Sequence, residues 1–557
     1  MKSFYTSDIA NGLNWKGLEH LAARILRHLG WKYITIIGGS GDHGGDLLGI
    51  HYDKNGISTP WVFQVKAVST GRYVGISAID EVLKALGIYN AKVACVITNG
   101  EFISTAKPRQ AELSKCGYQV KLWNGIFIQN LIENMSDFSA VKKQLRQYQQ
   151  IIVDKAIKIY SEGGRRAYYI VATGLGKTVI AASIIQHFWE LGLRRILVLC
   201  HSIELAQQLE EGFWTQISKE VPTHVFFSGK APLTEECISF GLFQTLKGFL
   251  SSLDPQQFDV IIVDEVHHIY ATEFKNCLNH FKPKFKIGMT ATPWRGDGQN
   301  PANIFGEPIA TVSLIDGMSM GYLAQVDYRI FCDNINWSQI PYITKKSMTI
   351  KDLNKRLFLP QRDEAVISKI KTTICEIESP RIVIFSPSIE HSKKFASMLS
   401  VAGIPCTFVS DIKKTERRKR LLEFAAGVYS AITAVDIMNE GIDIPDVNIL
   451  VFLRATHSRR IFVQQLGRGL RISEKKEKVI VLDFVSDLRR IAGVVEMNNE
   501  WKVKGGVSET LYLTKGIVSF SDSSIEKFIN EWILDVANIS DSDDNTRLIF
   551  PEGLNND

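Results

Sequence analysis

Val171-Ala172-Thr173-Gly174-Leu175-Gly176-Lys177-Thr178 is the stretch whose reading decides the fold. The apolar run that enters it, Ala167-Tyr168-Tyr169-Ile170-Val171, predicts a buried strand, and Val179-Ile180-Ala181-Ala182 beyond it predicts a helix with small packing residues. Strand, glycine turn and helix start come in the order that a phosphate cradle requires. Gly174 and Gly176 let backbone N–H groups turn toward a triphosphate, with Thr173 and Leu175 completing the loop. The helix N-terminus adds its positive end, Lys177 offsets the β and γ charges, and Thr178 offers a hydroxyl to Mg²⁺. The general pattern has a glycine where this chain has Val171. Taken alone, the string is also compatible with a glycine turn in an ordinary α/β protein.

A second stretch decides between the two. Val260-Ile261-Ile262-Val263 predicts another buried strand, and Asp264-Glu265-Val266-His267-His268 stands at its end. Asp264 is placed to hold Mg²⁺ through water, and Glu265 to orient and polarise the water that attacks a γ-phosphate. Downstream of a phosphate loop, this acid pair reads as a hydrolytic centre rather than as a solvated turn.

The size of the chain shows that this centre is not the whole of it. A length of 557 residues exceeds what one core organises and implies three or four domains. Hydrophobic residues make up 45% and charged residues 22%, the balance of a water-soluble globular protein. The longest apolar runs are strand-sized, so no bilayer span is expected. Met1 to Asn14 lacks a basic segment followed by an apolar one, so the expected location is the cytoplasm. The eight cysteines, at 95, 116, 200, 237, 277, 332, 375 and 406, contain no Cys-x-x-Cys pair. This argues against a zinc ribbon or iron–sulfur cluster and for buried thiols. A net charge of +6 permits a phosphate-binding surface without establishing one.

In the first module, 1–135, Leu18, Leu21, Ala22, Ile25, Leu26 and Leu29 recur at helical spacing and predict a helix over Trp15–Leu29 with Glu19 on the flank of its apolar face. A glycine-rich turn, Gly38 to Asp46, leads through a short strand to the strand Trp61–Val68, in which Gln64 and Lys66 share a face. An acid beside a Gln-x-Lys strand suits a metal-dependent phosphodiesterase. Asp46 and the Gln64 carbonyl would hold Mg²⁺, Lys66 would position the attacking water, and Glu19 is within reach of the same metal.

The order of Glu19, Asp42-x-Gly44-x-Asp46, Gln64-x-Lys66, Cys95 to Phe102, Ala106 and Val120 to Gly125 resembles the Mrr-type restriction endonuclease domain. The resemblance implies a PD-(D/E)-x-K fold that cuts DNA with Mg²⁺. Gln64 departs from the acid of the wider superfamily while agreeing with the Mrr branch, and it removes one ligand charge. A DNA-binding module that does not cut is the alternative.

The motor follows. Gln149, in Leu145 to Gln149, carries the donor and acceptor that an adenine edge requires. Ile196–Gln208 and Ile238–Thr245 each read as a strand leading to a helix start or turn able to meet a nucleic-acid phosphate. Thr290-Ala291-Thr292-Pro293 is placed to sense the acids and His267. A second α/β unit shows clear strands at 381–385 and 431–435, then Glu440-Gly441-Ile442-Asp443. In Gln464 to Arg471, residues Gln464, Arg468 and Arg471 share one helical face, so both arginines can reach one phosphate across a cleft. As arginine fingers they are worth on the order of 10³-fold in turnover.

These strings, from Leu145 to Asp487, resemble the ordered motifs of superfamily 2 helicases of the DExH branch, nearest the restriction-enzyme and UvsW or RadD-like group. That resemblance implies two RecA-like domains with ATP between them. Gly176, Lys177 and Thr178 would serve phosphate and metal, Asp264 and Glu265 hydrolysis, Arg468 and Arg471 the transition state, and Gly441 with Asp443 would lie near the nucleotide.

The fold class expected is therefore α/β throughout: a restriction-endonuclease-like domain at 1–135, RecA-like parallel-sheet domains at 136–320 and 321–490, and a small extension at 491–557 ending in a polar tail. The expected function is an ATP-dependent DNA helicase or translocase coupled to a metal-dependent endonuclease in restriction or anti-phage defence, with ATP and Mg²⁺ as cofactors. Its partner is DNA, whether duplex, forked or single-stranded, and no membrane. A partner defence subunit or a second copy of the chain are further candidates. The alternatives are a repair or recombination remodeller with a non-cutting first module, and an RNA helicase.

Overall fold

The structure is a computed structural model that describes residues 5–37, 44–226, 231–232, 235–266, 272–291, 301–331, 348–349, 363–412, 414–435, 447–453, 469–470, 476, 478–484, 518–520 and 547–548. The first module is built on a five-stranded sheet in the order Lys32–Ile36, Leu47–Tyr52, Ser58–Lys66, Val93–Thr98, Gln119–Trp123. Its first three strands are antiparallel neighbours and its last three parallel. The predicted first helix runs Trp15–His28, with the Asn14 side chain accepting from Gly17 N as the N-cap. Leu18, Leu21, Ile25 and Leu26 are buried, whereas Leu29 falls on the C-cap and is 38% exposed. The chain can turn there because Gly30 adopts φ +90°.

The second sheet has seven strands in the order Thr223–Phe226, Cys237–Leu242, Arg195–Cys200, Val260–Asp264, Phe285–Thr290, Arg166–Val171, Ala310–Val312, all parallel. Parallel strands bring all their C-terminal ends to one edge, so Val171, Asp264 and Thr290 finish on the same side of the sheet although far apart in sequence. Burial of the strands on both faces matches their unbroken apolar runs: Leu197, Val198, Ile261 and Ile262 are all fully buried.

A third sheet is also seven-stranded and parallel, in the order Cys406–Phe408, Ala431–Ala434, Ile382–Phe385, Ile449–Phe452, Lys478–Phe484, Gln325–Phe331, Val518–Phe520. The last of these strands, Val518–Phe520, comes from the stretch read as an extension and joins the sheet. Arg547–Leu548 in turn pairs with Met348–Thr349. The composition of a three-residue strand carries no periodicity from which to find it. Two of the cysteines expected to be buried, Cys116 and Cys375, are exposed. Among the described residues no helix is long and apolar enough to cross a membrane.

The first module docks on the motor through two helices. His20 on the Trp15–His28 helix lies 2.7 Å from Glu210 and edge-on to Trp214 on the Ile203–Trp214 helix. Arg24 donates to the carbonyls of Ser218 and Lys219, and Lys219 Nζ returns donors to Ile132 and Met135. Burial lowers the Arg24 guanidinium to about 10 against the opposing pull of Glu210 and Glu220. The Ile203–Trp214 helix meets the phosphate-loop helix Lys177–Glu190 on another side, where a Cβ added at Gly212 would lie 2.6 Å from Thr178 Cγ2.

Burial also raises the half-buried Glu211 carboxyl to about 7; Arg27 and His20 draw it down and Glu210 adds to the rise. A carboxyl whose folded-state pKa lies above its ordinary 4.5 contributes stability that is complete below that value and is lost as pH rises through about 7. Glu211→Gln is therefore expected to flatten the fall of Tm between pH 5 and pH 8, gaining about 2 °C or more at the upper end. Thermal melts of both proteins across that range check it, and identical slopes would refute it.

Candidate active sites

The phosphate loop is fixed by conformation and by bracing. Gly174 and Gly176 adopt φ +89° and +85°, the left-handed region that a side chain resists. A Cβ on Gly176 would also come within 2.6 Å of Gln149 Nε2. The helix begins at Lys177, whose carbonyl accepts from Tyr169 OH at 3.0 Å. The Lys177 ammonium lies 2.7 Å from Glu265 Oε1 and 3.9 Å from Asp264 Oδ1. All three side chains are largely shielded, so the lysine's charge is felt by both acids with little screening. Thr290 Oγ1 donates to Glu265 Oε2 at 3.0 Å. Its strand lies between those that carry Asp264 and Val171. Glu265 itself takes φ +51°, a strained geometry for a non-glycine residue and one that turns its carboxylate out of the strand direction.

Gln149 is held by partners within the chain. Its Oε1 accepts from Arg146 N at 2.9 Å, and its Nε2 donates to Leu175 O at 2.9 Å. These bonds tie the amide to the chain's own backbone and brace the phosphate loop. Tyr148 OH donates to the same Leu175 carbonyl. The Tyr322 ring lies 5.4 Å from that of Tyr148 and 4.5 Å from the Arg146 guanidinium, which ties the entry to the third sheet to the loop.

The first module forms a separate cleft of about 790 Å³ lined by Glu19, Asp46, Gln64 and Lys66, with Glu81 and Lys84 on its wall. The four expected residues are brought together by three elements: a helix for Glu19, the turn into the second strand for Asp46, and the third strand for Gln64 and Lys66. Asp46 Oδ2 accepts from Gln64 Nε2 at 2.7 Å and from Val65 N at 2.6 Å. With its amide nitrogen held against the carboxylate, Gln64 must send its oxygen the other way. That Oε1 is buried and, among the described residues, accepts no hydrogen bond. An unfilled acceptor beside a carboxylate is a donor set that a hard divalent cation satisfies, so the residues present fit such a metal. Glu81, missed in the sequence, lies 2.6 Å from Lys66 Nζ. Only its spacing on an amphipathic helix marked it, and any solvated glutamate shares that signal.

Arg468, Arg471, Gln464, Gly441, Asp443, His267, Thr292, Pro293 and Asp42 lie outside the described residues. Between the two arginines, Leu470 is fully buried and its carbonyl accepts from Ala324 N at 2.8 Å. A Cβ on Gly469 would meet Leu450 Cδ1 at 2.7 Å, so packing accounts for that glycine.

Three family models match in the order of these units: restriction endonuclease over 10–132, type III restriction enzyme res subunit over 142–295, and helicase conserved C-terminal domain over 365–473. The irc3 protein of Schizosaccharomyces pombe, named provisionally as a mitochondrial ATP-dependent helicase, is 27% identical over 361 residues, 63% of this chain and 58% of that protein. The type I restriction enzyme EcoAI endonuclease subunit of Escherichia coli is 26% identical over 386 residues, 61% of this chain and 46% of that one. The chain thus spans about half the length of the curated relatives it matches. Among solved structures, the ATP-dependent type ISP restriction-modification enzyme LlaBIII bound to DNA aligns with 87% of this chain and 37% of its own at a TM-score of 0.51 and 18% identity, a likeness of fold.

Proposed function

We propose that this chain, matched in order by restriction endonuclease, type III restriction enzyme res subunit and helicase C-terminal models, is a superfamily 2 helicase with an Mrr-type nuclease domain ahead of its motor, which hydrolyses ATP on DNA and cuts DNA with a divalent metal, Mg²⁺ above all, as a restriction or anti-phage effector. The observation that carries this reading is the meeting of Glu19, Asp46, Gln64 and Lys66 in one cleft of a chain whose other site sets Lys177 against Glu265.

In the motor, the amides of Gly174 and Gly176 receive the phosphates. Lys177 leaves the acids for the β and γ oxygens, and Thr178 and Asp264 are the residues that would hold Mg²⁺. Glu265, freed of Lys177 and still held by Thr290, orients the attacking water. In the cleft, Asp46, Gln64 Oε1 and Glu19 would hold the metal, which supplies charge for the developing phosphorane when bound. Lys66 positions the water whose oxygen replaces the leaving oxygen on phosphorus. Arg468 and Arg471 are proposed to complete the ATP site from the facing lobe.

A second reading, a remodeller whose first module binds DNA without cutting, is favoured by Gln64, because an amide in place of an acid weakens metal binding. One assay separates them: phosphate release and strand breakage followed together on single-stranded, forked and duplex DNA and on RNA, with and without Mg²⁺. The expected result is ATP hydrolysis stimulated by DNA and breakage that needs the metal. DNA-stimulated hydrolysis with no breakage in Mg²⁺ or Mn²⁺ would select the remodeller, and stimulation by RNA alone would overturn both.

A further inference from the structure

Lys66 faces a problem of order. A lysine ends in a compact charge on a flexible four-carbon stem, with rotamer entropy to lose when held. For it to position a water, a neighbouring group must restrain it. Glu81 does, with Oε2 2.6 Å from Nζ.

Glu81 is itself held in register with Asp46. Its helix, Ser77–Ile88, buries Ala78, Ile79, Val82 and Ala85 and packs along the strands Ser58–Lys66 and Val93–Thr98. Gly44, two residues before Asp46, approaches so closely that a Cβ there would lie 2.6 Å from the Glu81 carbonyl oxygen, and its φ of +87° independently favours glycine. The turn that delivers Asp46 and the helix that delivers Glu81 are therefore packed backbone to backbone. The carboxylate also returns to the cleft a negative charge that Gln64 withholds.

We propose that Glu81 is a positioning residue for the nuclease reaction: it anchors Lys66 at the cleft through their ion pair and acts on the water only through that lysine. The inference rests on the nuclease reading above. Both side chains are more than one-third exposed, so the pair contributes little to stability and its effect falls on geometry, where a displacement of about 1 Å costs up to 10²-fold in rate.

The test uses the full chain and DNA cleavage in Mg²⁺, with kcat, KM for DNA and the Mg²⁺ concentration at half-maximal rate measured separately. Glu81→Ala is expected to lower kcat by about 10- to 100-fold while KM, the Mg²⁺ midpoint, Tm and DNA-stimulated ATP hydrolysis stay as in the wild type. Glu81→Gln keeps an acceptor for the ammonium and is expected to fall between the two. Wild-type kcat in Glu81→Ala would make the pair a passive surface contact, and a higher kcat would make Glu81 a restraint on Lys66; either overturns the proposal. A tenfold rise in the Mg²⁺ midpoint would overturn it by making Glu81 a metal ligand, and a lower Tm with proportionate loss of both activities by making it structural. A wild-type chain that cuts no DNA sinks the nuclease reading itself, whereas a cutting wild type with an indifferent Glu81→Ala sinks only the role of Glu81.

Discussion

Lys177→Ala is expected to lower DNA-stimulated ATP hydrolysis by about 100-fold or more, the loss that follows removal of one preorganised charge from a developing anion. The reason is specific to the geometry. Lys177 is the shared counter-ion of Glu265 at 2.7 Å and Asp264 at 3.9 Å, and its transfer to the nucleotide is the step that exposes those acids to metal and water. Alanine removes the cation from the triphosphate and leaves two neighbouring carboxylates facing each other across a shielded site. Steady-state phosphate release gives the rate, and titration with a fluorescent ATP analogue separates lost binding from lost turnover. Near-normal hydrolysis by the variant would mean that the phosphate loop is not the hydrolytic centre. Strand breakage in the same protein then reports whether cutting depends on hydrolysis.

The second large effect concerns the other site. Asp46→Asn is expected to reduce DNA cleavage by about 100-fold or more, with ATP hydrolysis on DNA unchanged within about twofold, since the cleft is built on the first sheet and the phosphate loop on the second. Asparagine keeps the shape of the side chain but not its charge. It also sets an amide where Gln64 Nε2 and Val65 N both donate to one carboxylate oxygen, so either both donors lose their acceptor or the new amide keeps its oxygen there and turns its own N–H₂ into the cleft. Either outcome spoils the donor set that leaves Gln64 Oε1 for a cation. A nicking assay across a Mg²⁺ titration, paired with phosphate release on the same preparation, tests the claim. Parallel loss of both activities would refute the separation of the sites, and intact cleavage would remove Asp46 from the chemistry.

Much of this was legible in the chain itself wherever one short stretch carried both the fold and the chemistry. Gly174 and Gly176 announce a left-handed turn, and the runs on either side announce strand and helix, so the phosphate loop could be read without knowing its neighbours. The acids at 264 and 265 follow a strand for the same reason. Gln64-x-Lys66 was legible because strand periodicity alone puts both on one face. The bracing role of Gln149 was not legible, because its residue type suits a base edge equally well and only the packing of its helix against Leu175 shows these intrachain hydrogen bonds. Glu81 was missed because nothing local distinguishes it from a solvated glutamate; the close passage of Gly44 over its backbone is a contact between elements distant in sequence.

The sequence by itself determined the principal elements around the two candidate sites and the side chains they carry, because periodicity, glycine conformation and charge act over a few neighbouring residues. Only the tertiary structure decided what those side chains face: that Lys177 rests between two acids, that Lys66 is tethered to Glu81, that Val518–Phe520 joins the third sheet, and that the helix bearing Glu19 docks by His20 onto the one that packs Thr178. Such pairings are set by long-range burial and hydrogen bonding, whose partners no local pattern in the chain specifies.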